Sequence, residues 1–365
     1  MFHATKFLDW KKEAKLMKCL LVVTGRGLGG DASIALNAIR ALEKRGIECE
    51  IALDKSAPGI LFEKKGYSWH KISIPQAGGH KATKASAVKG ALKLIPAAFK
   101  ARSAIKKSKC DFVLGVLGGG AIVGSLGGKL ARKTTFSLIS TPLDSTVCPK
   151  LNYCFLFPEI DKYRWETLPD NMERSFYPLA DDCGNGNADV ALQELKKFPN
   201  FDENKKTILF SSGSSIFNGM IDAINLVASE TDEYNLVLVG LPLDEAYLDS
   251  VNDSRIIHTG YISWMNDLFK FADLTVLTDD GISIQEALTS EKPIIALTRI
   301  KWGRYQNMAG VYVGAIIESE VSDVCKSIDE AFENYDSLQR NASVYGKQCA
   351  QAADHMVDRM LEKLK

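Results

Sequence analysis

The chain contains no apolar run of the ~18 residues that a membrane-spanning helix needs, so none is expected along its 365 residues. It has no Cys-x-x-Cys pair: the eight cysteines lie apart, at 19, 49, 110, 148, 154, 183, 325 and 349, and there are only five histidines. A structural zinc site is therefore not expected, and the thiols read as reduced, small core residues. The first segment, residues 1–16, lacks the apolar centre of a secretory signal and is charged in its middle. It reads as a short amphipathic helix or an upstream start before Met17, without targeting function, which places the protein in the cytoplasm. Acid is also missing from one long stretch: residues 64–110 hold twelve Lys/Arg and no Asp or Glu.

What is present is ordinary for a folded protein, 46% hydrophobic and 25% charged, with length for about two domains. The formal net charge is zero, but residues 1–165 carry 28 Lys/Arg against 12 Asp/Glu and the remaining 200 carry 17 against 33. A basic first half suits an anionic partner. The apolar runs alternate with helical spacing. Strands are predicted at 18–24, 49–54, 111–116, 134–140 and 152–158, then at 207–212, 235–240, 255–258, 274–278 and 293–298. Helices are predicted near 34–45, 82–107, 121–132 (after a loop at 117–120), 217–229, 264–271, 282–290 and 342–364. Such alternation implies an α/β fold of two Rossmann-like domains facing across a cleft, with ligands beyond the carboxyl ends of the strands. The expected boundaries are an extension at 1–16, a first domain at 17–165, a linker region at 166–204, a second domain at 205–341 and a last helix at 342–365 across the junction.

Gly25-Arg-Gly-Leu-Gly-Gly30 fits G-x-G-x-x-G between a strand and a helix, with Glu50 and Asp54 about twenty residues on. That spacing supports an NAD-dependent oxidoreductase, although many strand-to-helix turns meet it without a cofactor. Asp31 follows the glycines and is either a first-turn helix acid or a general base.

The second half carries His258-Thr-Gly-Tyr-Ile-Ser-Trp-Met265, Ala272-Asp-Leu-Thr-Val-Leu277, Ile282-Ser-Ile-Gln-Glu-Ala-Leu288, Lys292-Pro293 and Arg304-Tyr-Gln-Asn-Met-Ala309. In that order they resemble the GT-B glycosyltransferases, above all the MurG-like enzymes of the glycosyltransferase family 28 type, which transfer N-acetylglucosamine. Gly213-Ser-Ser215, Gly27-Leu-Gly-Gly-Asp31 and Gly118-Gly-Gly-Ala-Ile-Val-Gly-Ser125 are similar to the family's other glycine loops, so that the likeness spans about 17–320.

The resemblance implies a hexosyltransferase that inverts the sugar, takes a UDP-sugar (by default UDP-N-acetylglucosamine) as substrate and needs neither metal nor cofactor. It assigns Glu286 to the ribose hydroxyls, Tyr261 and Ile262 to the base, and Gly213, Ser214, Ser215 and Ser283 to the diphosphate. Gln306 and Asn307 go to the donor sugar. Gly27, Gly29 and Gly30 with Gly118, Gly119 and Gly120 become acceptor or phosphate loops. Leu92, Lys93, Ile95, Phe99, Lys100 and Arg102 form an apolar and cationic surface for an anionic membrane. The expected partners are then the donor and a polyprenyl-linked acceptor of cell-envelope glycan synthesis at the inner membrane face, with no nucleic acid. Two departures stand out. The family's histidine after the first glycines is Asp31 here, which becomes the candidate base, with His80 in Gly78-Gly-His80 a weaker one. Asp279-Asp280 replaces small residues before Gly281 and is expected to cap the following helix. A nucleotide-sugar 2-epimerase or hydrolase of the same fold and a catalytically inactive membrane scaffold remain alternatives.

Overall fold

The computed structural model describes residues 17–25, 29–75, 84–158, 166–301 and 305–365, without the side chains of 84–92. The extension at 1–16, Gly27, His80 and the side chain of Leu92 therefore lie outside the described residues. The chain divides into two compact units, one running through Ile139 with Thr146–Cys154, the other comprising Ser140–Ser145 and Phe155–Lys363.

In the first unit β1 (Lys18–Val23), α1 (Gly29–Lys44), β2 (Glu48–Asp54), α2 (Ile60–Lys64) and β3 (Trp69–Ile72) follow in turn. Then come α3 (Lys84–Ser108), β4 (Phe112–Val116), α4 (Gly118–Ala131), β5 (Thr134–Ile139), α5 (Asp144–Val147) and β6 (Tyr153–Leu156); the last strand of the same sheet, β7 (Met172–Arg174), belongs to the chain segment of the second unit. The sheet order is β3-β2-β1-β4-β5-β6-β7, and β1 pairs in parallel with both β2 and β4. β1 is Lys-Cys-Leu-Leu-Val-Val with every residue after Lys18 buried, as a central parallel strand covered on both faces must be. One of the cores joins Leu20, Val22 and Val113 of the sheet to Ala97, Ala101 and Ile105 of α3.

The second unit contains α6 (Ala188–Leu195), β8 (Lys206–Ile216), α7 (Asn218–Glu230), β9 (Tyr234–Pro242), β10 (Ile257–Gly260), α8 (Met265–Phe271) and β11 (Leu274–Thr278). It continues with α9 (Ile282–Thr289), β12 (Ile294–Leu297), α10 (Met308–Val311), β13 (Ile316–Ser319), α11 (Val324–Glu333) and α12 (Tyr335–Leu364). Its sheet runs β10-β9-β8-β11-β12-β13, parallel throughout. One face buries Leu209, Val237 and Leu277 with α8, α9 and α12, the other Phe210, Leu238 and Val276 with α7 and α11.

Strand order reverses beside β1 in the first sheet and beside β8 in the second. Such a switch point leaves a crevice at the carboxyl ends of the strands, where α/β sheets receive ligands. The loops after β1 and β4, and those after β8 and β11, thus occupy the positions a ligand site requires within each unit.

Several elements differ from the sequence expectations. β3, β7 and β13 are only three or four residues long, too short for alternation to announce them. Residues 166–204 hold β7 and α6, whose first turn is capped by Asn187, its side chain accepting from Asp189 N–H. Gly213-Ser-Ser215 is not a strand-to-helix loop. It is a bulge inside β8, which shifts register after Ser211 and resumes pairing at Ser215 with Leu241.

Candidate functional site

In the first unit Gly25 and Gly29 take positive φ values of 80° and 71°, which only glycine adopts freely. The chain turns there from β1 into α1, and Asp31 sits in the helix's first turn. A side-chain carbon on Gly25 would lie 3.0 Å from Asp31 Oδ2, so the carboxylate folds over the turn into space that this glycine leaves. Asp31 makes no capping hydrogen bond among the described residues. Burial alone pushes its pKa up to about 6, against the first-turn field that favours the anion. Near neutral pH it is an ionised carboxylate whose lone pairs no described residue uses, which is the state a general base needs.

The second glycine cluster does something else. Gly118, Gly119 and Gly120 begin α4. A side-chain carbon on Gly119 would stand 2.5 Å from the Pro75 carbonyl, and one on Gly120 2.5 Å from Thr24 N. Farther along, Gly124 faces Gly115 Cα at 3.0 Å and Gly127 faces the Ala101 side chain at 2.7 Å. These glycines let α4 lie directly against β1, β4 and α3. Packing thus explains Gly119 and Gly120 without a ligand, whereas Gly29 and Gly30 face no atom of the described residues within 4 Å.

The residues that supported the NAD reading are engaged elsewhere. Glu50 binds Lys18 at 2.6 Å and His70 at 2.7 Å. Asp54 accepts from Ile74 N–H at 2.7 Å and from the N–H and hydroxyl of Ser56. On α3, Ile95 and Phe99 are 68% and 56% exposed, with Lys93 and Lys100 exposed beside them. Arg102 is instead half-buried and donates from Nε to the Leu130 carbonyl.

In the second unit the expected donor residues lie in the chain near or after the carboxyl ends of β8, β10, β11 and β12. Glu286 and Ser283 stand one turn apart on α9, whose preceding Gly281 has φ 87°. Glu286 is half-buried, its carboxylate has no hydrogen-bond partner among the described residues, and desolvation pushes its pKa up to about 7. Its neighbour Gln285 is structural, joining Tyr177 N–H to the Tyr312 hydroxyl. Tyr261 is 70% exposed just after Gly260, while Ile262 packs against the core.

In the β8 bulge Gly213 has φ 90° and donates its N–H to Ser211 Oγ at 3.2 Å. Ser212 Oγ donates to the Ser215 carbonyl and accepts from Phe217 N–H. The bulge therefore fastens itself, and the Gly213 amide is engaged where a free donor was expected. Ser214 is exposed and Ser215 half-buried. Asn307 caps α10, its side-chain oxygen accepting from Gly310 N–H at 2.9 Å. That oxygen keeps a second lone pair, and the amide nitrogen keeps its donors.

Asp279 and Asp280 do not cap α9, which has no side-chain cap. Asp279 is buried and accepts from Gln306 N–H at 3.0 Å, and desolvation pushes it up to about 6. Asp280 pairs with Lys301 at 2.7 Å. The two acids thus anchor the chain that follows β12. Lys301 had no signal of its own in the sequence: it is one lysine in an irregular loop, without period or motif.

Neither a protein-family model nor a curated protein sequence matches the chain. Solved structures do match in fold. Anabaena HepE in complex with UDP-glucose superposes with a TM-score of 0.68 at 13% identity, covering 95% of this chain and all of that one. Acinetobacter baumannii MurG gives 0.63 at 16% over 95% and 99%. The UDP-GlcNAc 2-epimerase of Neisseria meningitidis, bound to UDP-GlcNAc, gives 0.65 at 16% over 95% and 100%. With its two parallel sheets of seven and six strands, the chain has the fold of these proteins, two Rossmann-like domains of the GT-B type.

Proposed function

We propose that this protein is an inverting, MurG-like glycosyltransferase that takes its sugar from a UDP-sugar, UDP-N-acetylglucosamine being the first donor to try. The observation that carries the proposal is Glu286, a half-buried carboxylate with no partner among the described residues, on the helix that follows β11 of the second sheet. An ionised carboxylate can accept from two vicinal hydroxyls at once, which a ribose supplies and water-excluded packing does not. Exposed Tyr261 offers its ring to the base, and the hydroxyls of Ser214, Ser215 and Ser283 suit the diphosphate. Gln306 stays a candidate for the sugar.

In this mechanism the acceptor oxygen attacks the anomeric carbon as UDP leaves. The oxocarbenium-like centre needs a base on the acceptor and stabilisation of the departing charge. Asp31 is the base, its raised pKa keeping it able to take a proton near neutrality. The exposed Ile95 and Phe99, with Lys93 and Lys100, suit an anionic membrane surface and hence a lipid-linked acceptor at its cytoplasmic side.

A second activity is testable in the same assay, because the 2-epimerase is as similar in fold and sequence identity as MurG. The experiment measures UDP release from UDP-N-acetylglucosamine and UDP-glucose, with and without a polyprenyl-pyrophosphate sugar. Release that depends on the acceptor supports the transferase. Conversion of UDP-N-acetylglucosamine without acceptor assigns the epimerase or hydrolase. The absence of any UDP binding by wild-type protein, in a thermal-shift assay, rejects both.

A further inference from the structure

We infer that Lys301 is a further ligand-binding residue, an ammonium positioned at the β8 bulge to take the diphosphate of the nucleotide sugar; this rests on the donor reading above. Nothing in the family resemblance pointed to it. Three observations place the charge. Among the described residues Lys301 Nζ is the one atom within 4 Å of where a side-chain carbon on Gly213 would stand, at 4.0 Å, so it borders the open side of that turn. Asp280 Oδ1 holds it at 2.7 Å, and the Phe217 ring lies under it at 5.8 Å. The Lys301 side chain is only 16% exposed. An ammonium has three donors; one serves Asp280, and no other acceptor engages it among the described residues.

The bulge itself creates the need. A glycine turn at this position ordinarily offers free amides to an anion, but here the Gly213 N–H is bound to Ser211 Oγ and the Phe217 N–H to Ser212 Oγ. Two carboxylates stand close by. Each would oppose a nearby phosphate by like-charge repulsion. Asp279 is turned inward onto Gln306 N–H and Asp280 is neutralised by Lys301. One lysine therefore answers both difficulties: it cancels the nearer acid and keeps donors for the ligand. A point charge without fixed direction suits phosphate oxygens whose position changes as the leaving group departs.

The test is calorimetric titration of the whole chain with UDP, uridine and inorganic pyrophosphate. Lys301→Gln keeps a donor for Asp280 while removing the charge. It should weaken UDP and pyrophosphate about ten- to a hundredfold and leave uridine within about twofold. Glu286→Ala should weaken uridine and UDP alike and spare pyrophosphate. Wild-type affinity of Lys301→Gln for UDP and pyrophosphate overturns the assignment, while uridine binding that still depends on Glu286 leaves the donor reading standing. Pyrophosphate binding that depends on Lys301, without uridine binding, keeps the anion site and rejects the UDP-sugar. No binding of UDP or pyrophosphate by wild-type protein rejects both. Should Lys301→Gln not fold, Asp280→Asn decides. It removes the competing carboxylate and should tighten pyrophosphate roughly threefold, whereas weaker binding overturns the inference.

Discussion

Two carboxylates without partners among the described residues, Asp31 and Glu286, are the most telling single residues in the chain. An acid held in a desolvated place keeps its proton more tightly when folded than when unfolded. For Glu286 the ordinary value is 4.5 and the folded one about 7, so stability due to this group is full below 4.5 and is lost as the pH rises through 7. Glu286→Gln should therefore melt later than wild type at pH 8, by an amount equivalent to about 2–3 kcal/mol, and equally at pH 4. The same substitution should weaken UDP binding. A variant of unchanged stability at pH 8 would mean that the carboxylate is better solvated than its surroundings indicate. Asp31 follows the same sign between 3.8 and about 6. Asp31→Asn should bind UDP as wild type does, but turn over about a hundredfold or more slowly. Wild-type turnover should rise through about pH 6 and then level off. Undiminished turnover in the variant would remove Asp31 as the base.

At the scale of elements, glycine decides how closely helices approach the sheets. Gly120→Ala sets a methyl 2.5 Å from Thr24 N and 2.7 Å from the Val22 carbonyl, both backbone atoms that cannot step aside. It should cost about 2 kcal/mol or more in a denaturant melt. Gly30→Ala meets nothing within 4 Å, so it should leave stability within about 0.5 kcal/mol and act, if at all, on ligand binding. Gly346 of α12 has the same role in the second unit, because a methyl there would collide with the Leu288 carbonyl at the end of α9. The helix that carries Glu286 is thus set in place by a glycine sixty residues downstream. The sequence shows Gly118-Gly-Gly120 as a loop motif. Its packing role was not legible there, because the atoms it touches come from β1 and the chain after β3.

For the molecule as a whole, the opposed charges of its two halves make ionic strength a variable worth controlling. Wild-type protein should sediment with vesicles rich in anionic lipid, and less so at high salt, since exposed charges are screened within about 10 Å at 0.1 M. Ile95→Ser with Phe99→Ser should reduce that binding about tenfold. Vesicle binding unchanged in the double variant would locate the membrane surface elsewhere or dispense with it. No helix among the described residues is long and apolar enough to cross a membrane.

The order of strands and helices was legible in the sequence because a strand buried on both faces must be almost wholly apolar, as in Lys18–Val23 and Leu274–Thr278. Helices that cover such strands keep one apolar stripe, and the reversal of strand order leaves their connecting loops at a ligand position. Asp31 could be singled out as an acid just after a strand–loop junction, and Glu286 through the family resemblance of the motif it lies in. Tertiary structure decided what those acids can do, since desolvation and the lack of a partner depend on side chains distant in sequence. It also separated glycines that pack from glycines that open a turn, and turned Asp279 and Asp280 from expected helix caps into anchors for the chain after β12. Lys301 became a candidate only in three dimensions, because a single charge gains direction from the groups that surround it, and those lie at residues 213, 217 and 280.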